Sequence, residues 1–196
     1  MKDFYFKYRG WLFVPAALIM LILAKPTLIS LITGFVLVGF GEGIRIWAVG
    51  YSGVTTRDKK LKAPRLITAG PYGYIRNPLY LGNLISWLGF SIACAGNAPF
   101  WAQSTIILSV LLSYAIIYGK VIPLEENFLR ETFGEPYEQY LEEVPRLCPN
   151  FKYYSQPEGV FNRAVITSAE IHTIIMLLII IVLILLKYFG LIPGIY

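Results

Sequence analysis

Three groups of ionisable residues stand at or inside apolar stretches, where charge is costly and therefore informative. Arg76 precedes one such stretch, Glu125 and Glu126 follow another, and Glu42 and Arg45 lie within a third. The first group belongs to Gly70-Pro71-Tyr72-Gly73-Tyr74-Ile75-Arg76-Asn77-Pro78-Leu79-Tyr80. Pro71 and Gly73 punctuate a loop, Asn77 suits an N-cap, and Pro78 suits a first helical turn, where its missing N–H costs little. A helix N-terminus carries unpaired N–H groups and partial positive charge, so with Arg76 beside it a carboxylate could dock there. The same residues also describe an ordinary capped membrane helix with an interfacial arginine. Glu125 and Glu126 can accept from hydroxyl or ammonium groups, or can be the solvated acidic start of a helix. Glu42 and Arg45, three residues apart, share one helical face; ionisable residues within a span are functional candidates, and this pair can equally neutralise itself.

These groups need a membrane to position them. With 56% hydrophobic and 15% charged residues among 196, the chain is too apolar for an ordinary soluble domain. Five runs approach the ~20 residues that cross a bilayer core as a helix. They fall at about residues 8–24, 27–51, 78–95, 99–121 and 169–189, which predicts an all-α polytopic membrane protein. The first run has no small-x-small cleavage site before Lys25 and is followed at once by a second, so it reads as a retained helix. Gly39, Gly41 and Gly43 in the second run allow close helix packing.

Arg57, Lys59, Lys60, Lys62, Arg65 and Arg76 crowd one loop, whereas the joins near Pro26 and Asn97 carry one lysine between them. The asymmetry places the N-terminus and both long loops in the cytoplasm, in the plasma (inner) membrane if the source is prokaryotic. It also accounts for the net charge of +5 without nucleic acid. Glu125 to Phe133 reads as a helix ended by Gly134. A second, amphipathic helix runs from Pro136 to Val144, with Tyr137, Tyr140 and Leu141 on one face and Pro145 as its stop. Cys94 and Cys148 fall near opposite membrane faces, which argues against a disulfide, and the lone His172 has no ligand partners, so no metal is expected. No Walker loop, nucleophile elbow or inverted repeat is present.

Taken together, Gly-Pro-Tyr, Arg76-Asn77-Pro78-Leu79-Tyr80, Glu125-Glu126, Phe133-Gly134, Tyr137, Tyr140 and Val144-Pro145-Arg146 resemble the integral membrane methyltransferases. That group is typified by isoprenylcysteine carboxyl methyltransferase and phosphatidylethanolamine N-methyltransferase. The resemblance covers about residues 57–149 within a single membrane-embedded domain over residues 1–196. It implies S-adenosylmethionine taken from the cytoplasm, a lipophilic acceptor taken from the bilayer, and loop and amphipathic helices that form the cofactor pocket. By analogy that pocket uses Arg65, Leu66, Ile67, Tyr72, Asn77, Pro78, Leu79, Tyr80 and Glu125. Asn77 stands where prenylcysteine enzymes carry histidine, and Val121 where they carry an arginine thought to meet the substrate carboxylate. Proton transfer, where the acceptor needs it, then falls to Glu42, Glu126 or a tyrosine; Arg45 and Arg146 become candidates to meet the acceptor. The resulting expectation is methyl transfer to a lipophilic carboxylate, as in isoprenylcysteine O-methylation, or to another membrane-derived small substrate, with Arg76, Glu126 and Glu42 as candidate catalytic residues. A phospholipid headgroup amine is the alternative acceptor. A small transporter or lipid-binding protein built on Glu42 and Arg45 is the reading from another class.

Overall fold

The computed structural model describes residues 2–53 and 61–193, which form helices and loops with no strand. Arg57, Lys59 and Lys60 of the basic loop lie outside the described residues. In chain order the helices are α1 (Lys2–Tyr8), α2 (Val14–Ile22), α3 (Leu28–Ser52), α4 (Pro78–Ala95), α5 (Phe100–Phe133), α6 (Glu135–Glu143) and α7 (Ala164–Tyr188). Single 3-10 turns sit at Trp11–Phe13 and Gly70–Gly73.

Four of these helices, α3, α4, α5 and α7, are long and apolar enough to cross a membrane. The expected first span is the exception. Gly10 interrupts the run, and the apolar helix that remains, Trp11–Ile22, reaches only about 18 Å at 1.5 Å per residue, well short of a ~30 Å hydrocarbon core. The fourth span departs in the other direction. Glu125 to Phe133 is not a separate helix but continues α5, whose 34 residues extend about 51 Å and carry Glu125 and Glu126 beyond the apolar section. Gly134 ends it as expected, with φ of +60°, a conformation that glycine adopts without strain.

α3 and α4 form a hairpin whose backbones nearly touch. A β-carbon on Gly41 would lie 2.5 Å from Ser86 Oγ and 2.7 Å from the Gly82 carbonyl oxygen, and one on Gly89 would lie 2.7 Å from the Gly34 carbonyl oxygen. Gly39 and Gly43 face open space, so only one of the three expected glycines serves this seam. Thr27 and Ser30 cap α3 reciprocally, and Ser30 Oγ also donates to the Ala93 carbonyl across the seam at 3.1 Å. One apolar cluster, around Met20, Phe90, Cys94, Ile106 and Ile184, holds one end of the bundle. A second, rich in tyrosine, packs Phe6 and Phe13 against Tyr80, Tyr114, Tyr118 and Val121.

The segment after α6 straps the 61–77 loop in place. Backbone N–H groups of Thr68 and Ala69 both donate to the Glu158 carbonyl at 2.9 Å, and Thr68 Oγ1 accepts from Glu158 N–H at 2.7 Å. Tyr154 N–H donates to Gly73 and Asn162 N–H to Gly50, so the strap reaches α3 as well.

Candidate active site

The loop, the α4 N-terminus and the α5 extension converge through one carboxylate. Arg76 donates from Nε and Nη2 to Glu126 Oε1 at 3.2 and 3.1 Å, and Arg146 donates to the same oxygen at 3.1 Å and to Oε2 at 2.5 Å. Arg76 Nη1 reaches the carbonyls of Leu141 and Val144 at 3.2 and 2.5 Å, closing the C-terminal end of α6. Asn77 occupies the N-cap position of α4 without making the side-chain cap bond; its amide instead donates to the Arg146 carbonyl at 3.1 Å. Three residues singled out from the sequence, Arg76, Glu126 and Arg146, thus form one ion triad that ties the loop to the chain after α6.

Glu125 turns the other way. Tyr80, one turn into α4, donates its phenol proton to Glu125 Oε1 at 2.6 Å, and Tyr114 donates to the Tyr80 carbonyl at 3.2 Å. Tyr72 lies in the 3-10 turn, and the Tyr140 hydroxyl donates to its carbonyl at 2.7 Å. Burial raises both phenols well above their ordinary pKa, so they are neutral hydrogen-bonding groups at neutral pH.

Deeper in the bundle, Arg45 gathers a second polar network. Its Nε donates to Glu42 at 3.1 Å, while Nη2 reaches Glu170 of α7 at 2.8 Å and Thr173 at 3.3 Å. Nη1 donates to the side-chain carbonyl of Asn83, whose amide donates to the Tyr118 phenol oxygen at 2.8 Å. Glu42 also accepts from Ser86 at 2.8 Å. Glu42 and Arg45 do neutralise one another, but within a network that joins α3, α4, α5 and α7.

The two networks border one cavity of about 700 Å³. Arg65, Leu66 and Ile67 line it from the loop, followed by Tyr72 and Arg76. Asn77, Pro78, Leu79 and Tyr80 line it from the start of α4, with Glu125 and Glu126 opposite and Glu42 and Arg45 deeper. Of the residues named from the sequence as catalytic, cofactor-binding or substrate candidates, Arg146 alone is outside the lining; it stands behind Glu126 and half-exposed. The far end is apolar, formed by Trp87 and Phe90 of α4 and Met176, Leu177 and Ile180 of α7. Among the described residues six lysines and arginines and four glutamates line the cavity, a net of two positive charges.

Sequence reasoning missed Asn83, Tyr118, Glu170 and Thr173. A signal existed for three of them: Tyr80, Asn83 and Trp87 recur at helical spacing, and Tyr118 lies two turns before Glu125 on the same face. Glu170 is an ionisable residue inside the fifth expected span, the feature that had already marked Glu42.

Residues 29–136 match the phospholipid methyltransferase family, more than half of the chain. The chain belongs to that family. Phospholipid methyltransferase family membership covers α3, α4, α5 and the start of α6, so the cavity's α7 wall lies outside the matched region. Relatives are chemically varied. The chain is 31% identical to a cobalt-zinc-cadmium resistance protein of Cupriavidus metallidurans over 66% of this chain and 53% of that one. It is 33% identical to methanethiol S-methyltransferase 1 of Bradyrhizobium diazoefficiens over 46% and 28% of the two chains. With a protein-S-isoprenylcysteine O-methyltransferase of Schizosaccharomyces pombe it shares 36% identity over 47% and 36%. The chain therefore spans about half or less of the length of these relatives. No solved structure matches it.

Proposed function

We propose that this protein is a membrane methyltransferase that uses S-adenosylmethionine and a lipophilic acceptor. The observation that carries the reading is the continuous cavity that runs from a polar, loop-bounded end to an apolar end between α4 and α7. Such a shape suits a water-soluble donor meeting an acceptor drawn from the bilayer.

The residues present fit that donor. The start of α4 opens on the cavity at Pro78 and Leu79; Tyr80 and Leu81 N–H both donate to the Asn77 carbonyl at 3.1 and 3.2 Å, which leaves the Leu79 N–H and the positive end of the helix dipole for a methionyl carboxylate. Glu125, held by Tyr80, offers a carboxylate in the wall for an ammonium group or a ribose diol. Leu66, Ile67 and Tyr72 offer aliphatic and aromatic surface for a nucleobase, with Arg65 at the rim. When bound, S-adenosylmethionine supplies an electrophilic sulfonium methyl group. The chain's own work is to align the acceptor and exclude water. Arg76 and Glu126 hold the loop that forms the wall, and Glu42 and Arg45 set the polarity where the acceptor's reactive end arrives. The net positive lining favours an acceptor that carries a carboxylate, which is ionised at pH 7 and needs no base. A phospholipid amine would have to lose a proton first. The basic loop orients the cavity mouth and N-terminus toward the cytoplasm.

Calorimetric titration of the protein in detergent with S-adenosylmethionine tests the reading, and saturable binding is expected. No heat and no thermal shift at millimolar ligand, from a folded sample, would sink it and favour a transporter or lipid-binding role. Transfer of a radiolabelled methyl group into membrane lipid extract then identifies the acceptor.

A further inference from the structure

Tyr118 of α5 lines the cavity between its two polar networks. It is 5% exposed, and its ring lies 4.4 Å from that of Tyr80, the partner of Glu125. Its phenol oxygen accepts from Asn83, whose own carbonyl is occupied by Arg45. Tyr118 therefore stands where the Glu125 end of the cavity meets the Arg45 network. The Asn83 bond fixes which way the phenol oxygen is engaged: Asn83 is the donor, so the hydroxyl keeps its proton for another acceptor. No described residue supplies one, and Tyr118 lines the cavity. A buried hydroxyl proton with no protein acceptor is costly, and a ligand oxygen removes that cost.

Resting on the methyltransferase reading above, we propose that the Tyr118 hydroxyl donates the hydrogen bond that orients the acceptor for methyl transfer. A carboxylate suits this donor. One oxygen accepts from Tyr118 while the other attacks: a C–O bond to the methyl carbon forms, the S–C bond breaks, and its electron pair stays on sulfur. No proton moves. An amine offers one lone pair, and a hydrogen bond to it would block the attack. Tyr118 thus acts on specificity as well as on rate, and Asn83 is its positioning residue.

The test compares the wild type with Tyr118→Phe and Asn83→Ala in detergent. Four quantities are read: thermal stability, S-adenosylmethionine affinity, Trp87-reported binding of a farnesylated N-acetylcysteine probe, and methyl transfer to that probe or to phosphatidylethanolamine. For Tyr118→Phe we expect cooperative melting slightly below the wild type, because the Asn83 amide loses its acceptor, with cofactor affinity within about twofold, weaker probe binding, and transfer to the carboxylate reduced about tenfold or more, as loss of a charge-assisted hydrogen bond implies. Asn83→Ala should follow the same pattern at smaller amplitude. Carboxylate transfer by Tyr118→Phe within twofold of the wild type overturns the proposal, as does a wild type that binds cofactor but methylates only the amine or neither probe. A wild type that binds no cofactor instead overturns the reading beneath it, and the two failures are distinguished by that first titration.

Discussion

Arg45 on α3 holds Glu170 on α7 at 2.8 Å, with side chains only 10% and 3% exposed. The pair fastens the last long helix, which lies outside the region matched to the family, to the helix hairpin at the heart of it. Removing the cation takes the counter-charge from two largely buried carboxylates. Arg45→Met should therefore lower stability by about 3–5 kcal/mol, as for other buried pairs broken on one side. Glu170→Gln keeps an acceptor for Arg45 and should cost less. Thermal denaturation in detergent decides this, and an Arg45→Met protein that melts with the wild type would show that the network carries no stability.

The glycine seam gives a prediction with an internal control. Gly41→Leu and Gly82→Val place side-chain atoms where backbone now sits, and should abolish recovery of a monodisperse protein on size exclusion. Gly39→Ala and Gly43→Ala point into open space and should be recovered at wild-type yield or better, since alanine favours the helix.

At the end of the cavity proposed to hold the cofactor, Tyr80 and Glu125 act as one unit. Glu125→Gln should weaken S-adenosylmethionine binding about tenfold, the scale of one hydrogen bond to a charged group. Tyr80→Phe releases the carboxylate from its buttress and should weaken binding less. Because the two share one interaction, the double variant should bind little worse than Glu125→Gln alone. Additive losses in calorimetry would mean that each contacts the ligand separately.

Arg76 and Arg146 share Glu126 but should differ sharply when removed. Arg146 is 51% exposed, and its pair is worth under about 1 kcal/mol, so Arg146→Ala should melt close to the wild type. Arg76 is 12% exposed and also closes the carbonyls of Leu141 and Val144. Arg76→Ala should cost about 2–3 kcal/mol through those unsatisfied groups and lower activity as the wall loosens. Equal melting of the two variants contradicts that division.

The helical class and the cavity wall between residues 61 and 140 were legible because they rest on local signals: apolar run length, Pro78 at a helix start, Gly134 at an end, tyrosines at helical spacing. The first expected run does not form one long helix, because hydropathy counts apolar residues without asking whether Gly10 lets them share one. The continuity of α5 was hidden for the opposite reason. Pro123 and the charged Glu125-Glu126 pair look like a boundary, yet the helix runs through them once its apolar length is used up. The pairings that shape the site were not legible, since Arg45 to Glu170 and Arg76 to Glu126 join residues 125 and 50 positions apart. Asn77 shows the limit most clearly: the sequence gives its position at the head of α4, while its amide bond is decided by where Arg146 returns.

The strap of residues 150–162 and Glu170 have a temporal consequence. A chain made from its N-terminus can zip α3 to α4 as soon as both are inserted, because every group in that seam is already present. The 61–77 loop must wait for Glu158, and Arg45 for Glu170. Completion of the cavity wall is thereby deferred until Glu158 and Glu170 have left the ribosome, so a product stalled before them would present a formed hairpin to the membrane beside an unfinished wall.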